Sequence, residues 1–333
     1  MIKILRRTLV VGGVLLTAGA VMAMQPPGGV PVDVIVGVQG SGTAQWEMEV
    51  IKSQELDKKH GINLILRDVA DSRAGQVALQ AGEVDIILSD FVWAAIQRNQ
   101  GNLVTVVPHS LAVGGVMVGP DSGISSVDDL VGKRIGIAGG PVDKSWIVLQ
   151  AYYGQTHDDK LVDLVDASFG SPPLINELLA NGEIDAALNF WHFNARSKAA
   201  GMVELKSVAD MLSEMGADVQ PPLLGWVFTD ETAAEMPDAV KGFLDASFDA
   251  KNLLLKRDTI WNGLRELMRA ADDDTLFETL REDYRAGIIE SYNADTVTAA
   301  AESFAMMAEF GGSELVGDVP TMADGTFWAE YSR

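Results

Sequence analysis

The chain has 333 residues, 47% of them hydrophobic and 22% charged, the make-up of a folded globular protein of about two domains. Asp and Glu number 47 against 25 Lys and Arg, a formal charge of −22, which works against the basic face that nucleic-acid phosphates require. With no cysteine, disulfides, thiolate metal sites, cysteine nucleophiles and a lipid-modified N-terminal cysteine are excluded together.

In chain order, Lys3, Arg6 and Arg7 open a basic segment, and an uncharged apolar run of about 13 residues follows over 9–21. Val21-Met22-Ala23 has the small-residue pattern of a cleavage site. The run is too short for the ~20 residues of a membrane span, so 1–23 is expected to be a secretory signal peptide and 24–31 a flexible linker. The paired arginines leave open whether export is general secretory or twin-arginine. Cleavage would remove three basic residues and no acidic ones, leaving a still more acidic, soluble, exported chain.

A strand is expected over 32–38, then a Gly-rich turn over 39–42 and a helix over 43–58. Strands over 62–67, 84–88 and 103–107 alternate with helices over 73–81 and 91–98, the pattern of a parallel sheet covered by helices. The same order recurs about 100 residues later. A strand over 133–138 ends in Gly139-Gly140-Pro141 and leads into a helix through Trp146. A strand over 161–165, a helix over 172–180 and a strand over 184–188 follow. Leu79, Gly82, Glu83, Asp85 and Leu88 reappear as Leu179, Gly182, Glu183, Asp185 and Leu188. Two related α/β lobes are the expectation. From 224 a strand to 229 precedes helices over 236–255, 259–270, 274–286 and 294–310, the last ended by Gly311-Gly312. This tail carries no third copy, so it is expected to return to the first lobe: lobe one over 32–112 and 222–333, lobe two over 113–221, with crossovers at 111–115 and 220–225.

Ligands of open parallel sheets bind beyond the carboxyl ends of the strands. The facing loops then bring Gln39, Ser41, Gly42 and Thr43, then Asp71, then Ser89, Asp90 and Phe91 from one lobe. The other supplies Gly140, Asp143, Lys144 and Ser145, then Asn189, Trp191 and His192; Trp226 lies nearby. The serines, Thr43 and Asn189 offer neutral hydrogen bonds. Asp71, Asp90 and Asp143 would hold an amine or cap helices. Trp191, at a strand end, could stack on a ring or a cation. Lys144, Arg73 and His192 are the nearby groups able to pair with an anion, and the acidic field of the whole chain disfavours a highly charged one. Several loops precede helices, whose free N–H groups would face the cleft.

Enzyme signatures are poor. The four histidines are scattered, and neither H-E-x-x-H, G-x-x-x-x-G-K-[ST] nor G-x-S-x-G occurs. Gly37, Gly40 and Gly42 imitate a dinucleotide turn in the wrong order. Asp272-Asp273-Asp274 lacks the ligand spacing of a calcium loop. No cofactor, no metal and no catalysis are expected.

The stretch 79–87, the strand after it, the run from Asp121 through Asp128-Asp129-Leu130-Val131-Gly132-Lys133-Arg134 to Ile137, the later 178–187, and Gly325-Thr326-Phe327-Trp328 together resemble the nitrate/sulfonate/taurine-type solute-binding proteins of ABC importers, a group that includes binders of thiamine-pyrimidine precursors. The resemblance implies a two-lobed periplasmic receptor of the type II binding-protein fold, with lobe two inserted in lobe one and the closed form docking on a membrane permease; a monomer is expected. By motif position, it places the ligand at Ser41 and Gly42, at Ser89 to Phe91, at Gly140 to Ser145 and at Asn189 to Trp191. The Asp90, Asp143 and Trp191 group leans toward an organic ligand with a ring or an amine. A sensor of the same fold feeding a membrane receptor is the alternative, and a cofactor-binding enzyme a remoter one.

Overall fold

The structure, a computed structural model, describes residues 30–333 except Ser41, Val142 and Asp218. The expected signal peptide, most of the linker and the candidate Ser41 therefore lie outside the described residues. The chain runs β1 (Val32–Gln39), α1 (Ala44–Ser53), α2 (Leu56–Lys59), β2 (Ile62–Val69), α3 (Ser72–Gln80), β3 (Ile86–Asp90), α4 (Phe91–Asn99) and β4 (Val104–Ser110). It continues through β5 (Gly115–Val118), β6 (Arg134–Ala138), α5 (Lys144–Gly154), α6 (Leu161–Leu164), β7 (Asp166–Gly170), α7 (Pro172–Ala180), β8 (Ala186–Asn189), α8 (Trp191–Ala199), β9 (Val203–Ser207) and α9 (Val208–Glu214). The last elements are β10 (Leu224–Thr229), α10 (Asp230–Glu235), α11 (Pro237–Lys256), α12 (Asp258–Asn262), α13 (Asp274–Ala286) and α14 (Ala294–Val316).

Two five-stranded sheets result, ordered β2-β1-β3-β10-β4 and β7-β6-β8-β5-β9. In the first, β1 pairs in parallel with β2 and β3, and β10 runs antiparallel between β3 and β4. The second repeats this plan strand for strand, with β5 as its antiparallel member. Each antiparallel strand is the one that follows a crossover, so each lobe is closed by the strand the other lobe sends it. This is a two-lobed α/β fold with mostly parallel sheets.

The repeated motif has a mechanical explanation. At the end of α3 the Glu83 N–H reaches the Ala78 carbonyl at 2.9 Å and the Gly82 N–H reaches Leu79 at 3.0 Å; after α7, Glu183 and Gly182 make the same bonds to Leu178 and Leu179 at 2.9 and 3.1 Å. This cap requires a positive φ, which is 68° at Gly82 and 73° at Gly182. Asp85 then brackets β1, accepting from the Ile35 N–H at 2.7 Å and donating its own N–H to the Ile35 carbonyl at 2.8 Å; Asp185 does the same to Arg134 in β6 at 2.9 and 2.8 Å. The G-E-x-D signature is thus a helix stop followed by a strand brace.

Several elements differ from the sequence expectation. The expected 161–165 strand is a single turn, α6, because the register against β6 starts at Arg134–Asp166 and Leu161 is buried in the second core. The 43–58 helix breaks at Glu55, which is left-handed. Only the first turn of 259–270 is α-helical, and α14 passes Gly311 and kinks at Gly312 before ending at Val316. Beyond β4, the 326–328 segment pairs with Val106, its Trp328 N–H donating to the Val106 carbonyl at 3.0 Å, so that exposed edge is covered.

The lobes are pressed together along helices. The α8 helix packs along α13, and α5 along α14. Ala195 of α8 is buried in the first lobe's core, and Met306 of α14 packs against the second's.

A Cβ at Gly82 or Gly182 would meet nothing within 4 Å, so alanine there probes backbone strain alone. Gly82→Ala and Gly182→Ala should each lower stability by about 1–2 kcal/mol, and by similar amounts, in denaturant midpoints at unchanged m value.

Candidate functional site

The candidate loops sort into three groups. The first is not a ligand wall at all: Phe91 and Trp226 are fully buried in the first lobe's core, Phe91 against Phe327 and Trp226 against Phe243, with the Trp226 indole N–H donating to Ser247 Oγ at 2.9 Å. Both expectations are corrected. The loop turn placed the Phe91 backbone at the cleft, but its side chain continues the inward stripe of α4, and Trp226 falls on the core face of its strand.

In the second group, the side-chain hydrogen bonds that form stay within their own lobe. Asn189 is buried and donates to the Pro172 carbonyl at 2.9 Å while accepting from the Phe190 N–H at 2.8 Å. Ser89 accepts from Gln76 at 3.1 Å. Gln39 donates to Ser72 Oγ at 3.1 Å, and its carbonyl takes the Gly42 N–H at 3.0 Å to close the turn before α1. Thr43 is the N-cap residue of α1 and makes no side-chain capping bond. Asp71 is exposed and caps α3 through the Ala74 N–H at 2.8 Å.

The third group meets across the lobes. Asp90 caps α4 with one oxygen, accepting from the Trp93 N–H at 2.7 Å, and takes the Lys144 ammonium of the other lobe on the second at 3.0 Å. Asp143 caps α5 through the Ser145 N–H at 2.9 Å, and the turn before it is closed by its own N–H on the Gly140 carbonyl at 2.9 Å. Burial raises the Asp143 pKa above the ordinary carboxyl value against the pull of Lys144. Burial opposes the Lys144 charge, but Asp90 outweighs it and the lysine pKa rises. Beside them Trp191 stands edge-on to Trp46 of the first lobe, with ring centres 6.0 Å apart. His192 is pressed among Trp191 and Phe193; burial, with Arg196 as a second cause, lowers its pKa to about 4.

Behind this seam lies a cavity of about 180 Å³, walled by the crossover residues Leu111 and Gln220, by Trp191, Asn194 and Lys198 of α8, and by Asp283 of α13. Gln220 ties the crossovers together by donating to the Leu111 carbonyl at 2.6 Å. Of the candidates among the described residues, only Trp191 borders it.

A family model described as NMT1/THI5 like matches residues 57–257, more than half of the chain. The chain belongs to the NMT1/THI5-like family. Among solved structures, the periplasmic aliphatic sulphonate binding protein SsuA from Escherichia coli superposes with a TM-score of 0.70 at 16% identity, over 90% of this chain and 98% of that one. The alkanesulfonate-binding protein SsuA from Xanthomonas axonopodis pv. citri, bound to MOPS, gives 0.65 at 15% identity over 90% and 99%. The desulfurization enzyme DSZB gives 0.56 at 14% identity over 89% and 97%. No curated protein matches the chain in sequence. At these identities the NMT1/THI5-like chain shares a fold with receptors and with an enzyme alike.

Sequence reasoning missed a buried polar cluster beneath the seam. Glu47 of α1 is completely buried; its carboxylate accepts from His109 Nε2 at 3.0 Å and from Ser247 Oγ, faces Lys251 Nζ at 3.5 Å and takes the Tyr284 hydroxyl at 3.4 Å. Burial pushes its pKa up, but Lys251, His109 and Ser247 prevail and hold it at about 2. Burial and the neighbouring ammonium lower the His109 pKa against the pull of Glu47, and burial lowers that of Lys251 against the same carboxylate. A single Glu in an amphipathic helix carries no sequence signal of this kind.

Glu47→Gln should destabilise the protein by about 3–5 kcal/mol by leaving Lys251 buried without its counter-ion, and Lys251→Met added to it should restore much of the loss. Chemical denaturation of the double-mutant cycle checks this. For His192 the folded pKa lies below the ordinary 6.5, so its contribution is intact above pH 6.5 and lost as pH falls toward about 4. Measured against His192→Phe, the wild type should lose about 1–3 kcal/mol across that window, and a flat difference would mean the imidazole is solvated.

Proposed function

We propose that the chain is an exported solute-binding protein. It captures a small organic molecule between its lobes and delivers it, unchanged, to an ABC-importer permease in the inner membrane. It works as a soluble periplasmic monomer released from its 1–23 signal peptide. The observation that carries this reading is the seam itself: two lobes of one strand order meet through Asp90 and Lys144, and both residues sit at helix N-termini that face each other. Strand-end loops of twin sheets opposed in this way suit a guest held by both halves and a hinged closure over it. Lobe one is assigned to 32–112 and 222–333 and lobe two to 113–221. The sulfonate-binding names of the structural relatives support a receptor role, and the Asp90, Asp143 and Trp191 group supports an organic ligand with a ring or an amine. Asp90 and Lys144 are retained as the pair that lobe opening would part, and Gly42, Ser89, Gly140, Asp143, Ser145 and Asn189 as loop candidates.

The test is thermal denaturation of the mature chain with sulfonates, amines, amino acids and pyrimidines. A ligand of the folded form at 100 times its Kd adds about 2.7 kcal/mol, a shift of several degrees. At least one class should raise Tm and be recovered chemically intact. No shift from any class would end the receptor reading, and conversion of the compound would favour an enzyme.

A further inference from the structure

The cavity behind the seam has its own chemistry. Its walls come from both lobes and both crossovers, so it is complete only when the lobes are together. At about 180 Å³ it has room for a small ring or a short chain.

Two carboxylates, Glu204 of β9 and Asp283 of α13, border it, and both hold Lys198 Nζ at 3.1 Å. The group is one negative charge in excess. Lys198 thus fills a place already built for an ammonium. Asn194 provides an independent sign. It lines the cavity, is 1% exposed, and donates its Nδ2 to the Gly115 carbonyl at 3.0 Å, which fixes the amide's orientation. Its Oδ1 is buried and meets no donor among the described residues. An acceptor left so in a protein interior calls for a donor from outside. Trp191 adds an aromatic wall of the kind that attracts cations. The formal charge of −22 draws cations to the whole surface.

We infer that this hinge cavity receives the ammonium end of a small organic solute, which displaces Lys198 from Asp283 and Glu204, donates to Asn194 Oδ1 and lies against Trp191. This rests on the solute-binding reading and names the class of its ligand.

The test uses one carbon skeleton in three charge states, benzylammonium, benzyl alcohol and benzoate, with calorimetric titration of the mature protein. Benzylammonium should bind best and benzoate least. Asp283→Asn and Glu204→Gln, both on partly exposed side chains, should each weaken benzylammonium about tenfold. Lys198→Met should tighten it several-fold, because the resident cation is gone; a residue serving only to hold the helices together would not give that sign. Circular dichroism of each variant confirms folding. Preference for benzoate, or loss of binding in Lys198→Met, would overturn the inference in favour of an anion on Lys198. If benzylammonium fails to bind while a solute from the thermal screen binds equally to wild type, Asp283→Asn and Lys198→Met, the cavity is not the site and the receptor reading stands. If no solute binds at all, both fall.

Discussion

The architecture depends on one carboxylate that cannot reach water. Glu47 is taken out of solvent in the first turn of α1, immediately after the β1 turn, and a buried charge is tolerable only when paired and hydrogen-bonded. Its partners are set by that demand. His109 stands at the end of β4, just before the first crossover; Ser247, which it shares with Trp226 of β10, leads to the second; Tyr284 belongs to α13, on which the other lobe lies. One buried charge therefore fixes, relative to one another, the loop before α1, both strands that enter or leave the crossovers, and the helix that receives lobe two. Such a node contributes less net stability than an apolar replacement could, but it admits few alternative arrangements.

Above this base the two lobes are built by the same rules. Each parallel strand ends at a turn, and α3, α4 and α5 are each capped by an Asp of that turn: Asp71, Asp90 and Asp143. The caps neutralise the helix ends that would otherwise face one another as two positive poles. Lys144 then finds Asp90 with one carboxylate oxygen still free, and the seam closes on an ion pair. The capping carboxylates and the cross-lobe contact are thus one device, used for local order and again for the meeting of the lobes.

How far the sequence disclosed this follows from where each physical demand is local. The 100-residue repeat was legible because a left-handed helix stop demands Gly and a strand brace demands Asp, and both recur at fixed spacing: Gly82 and Gly182, Asp85 and Asp185. The β10 strand and α13 matched their expected limits for the same reason, strong periodicity between clear stops. Leu161-Val162-Asp163-Leu164 was ambiguous because a four-residue apolar run fits a helical turn as well as a strand, and only the register with β6 decides. The site was less legible. Trp191, Asp90 and Lys144 could be placed by strand-end position, but Phe91 and Trp226 needed the direction of the side chain. Glu47, His109 and Lys251 are joined only by folding across 62 and more positions. Asn194, Lys198 and Asp283 likewise share a cavity through helix packing that no local pattern encodes.

The same contacts also restrict how the lobes can move. Gly114 and Gly115 lie so near the second sheet that a Cβ on either would fall within 3 Å of the Asn189 or Lys206 backbone, and Gly287 is equally close to Ala112. The Leu111 N–H is held by the Gly287 carbonyl at 2.9 Å, and its own carbonyl by Gln220. The first crossover is therefore clamped at both ends, to lobe one at Leu111 and to lobe two from Gly114 onward, with only Ala112 and Val113 between. A rotation concentrated there would leave both sheets intact, and would have to part Asp90 from Lys144 and lift α8 from α13. On the proposed reading, opening would expose the strand-end loops and the hinge cavity together, and a guest that bridges the lobes would stabilise the closed form through both.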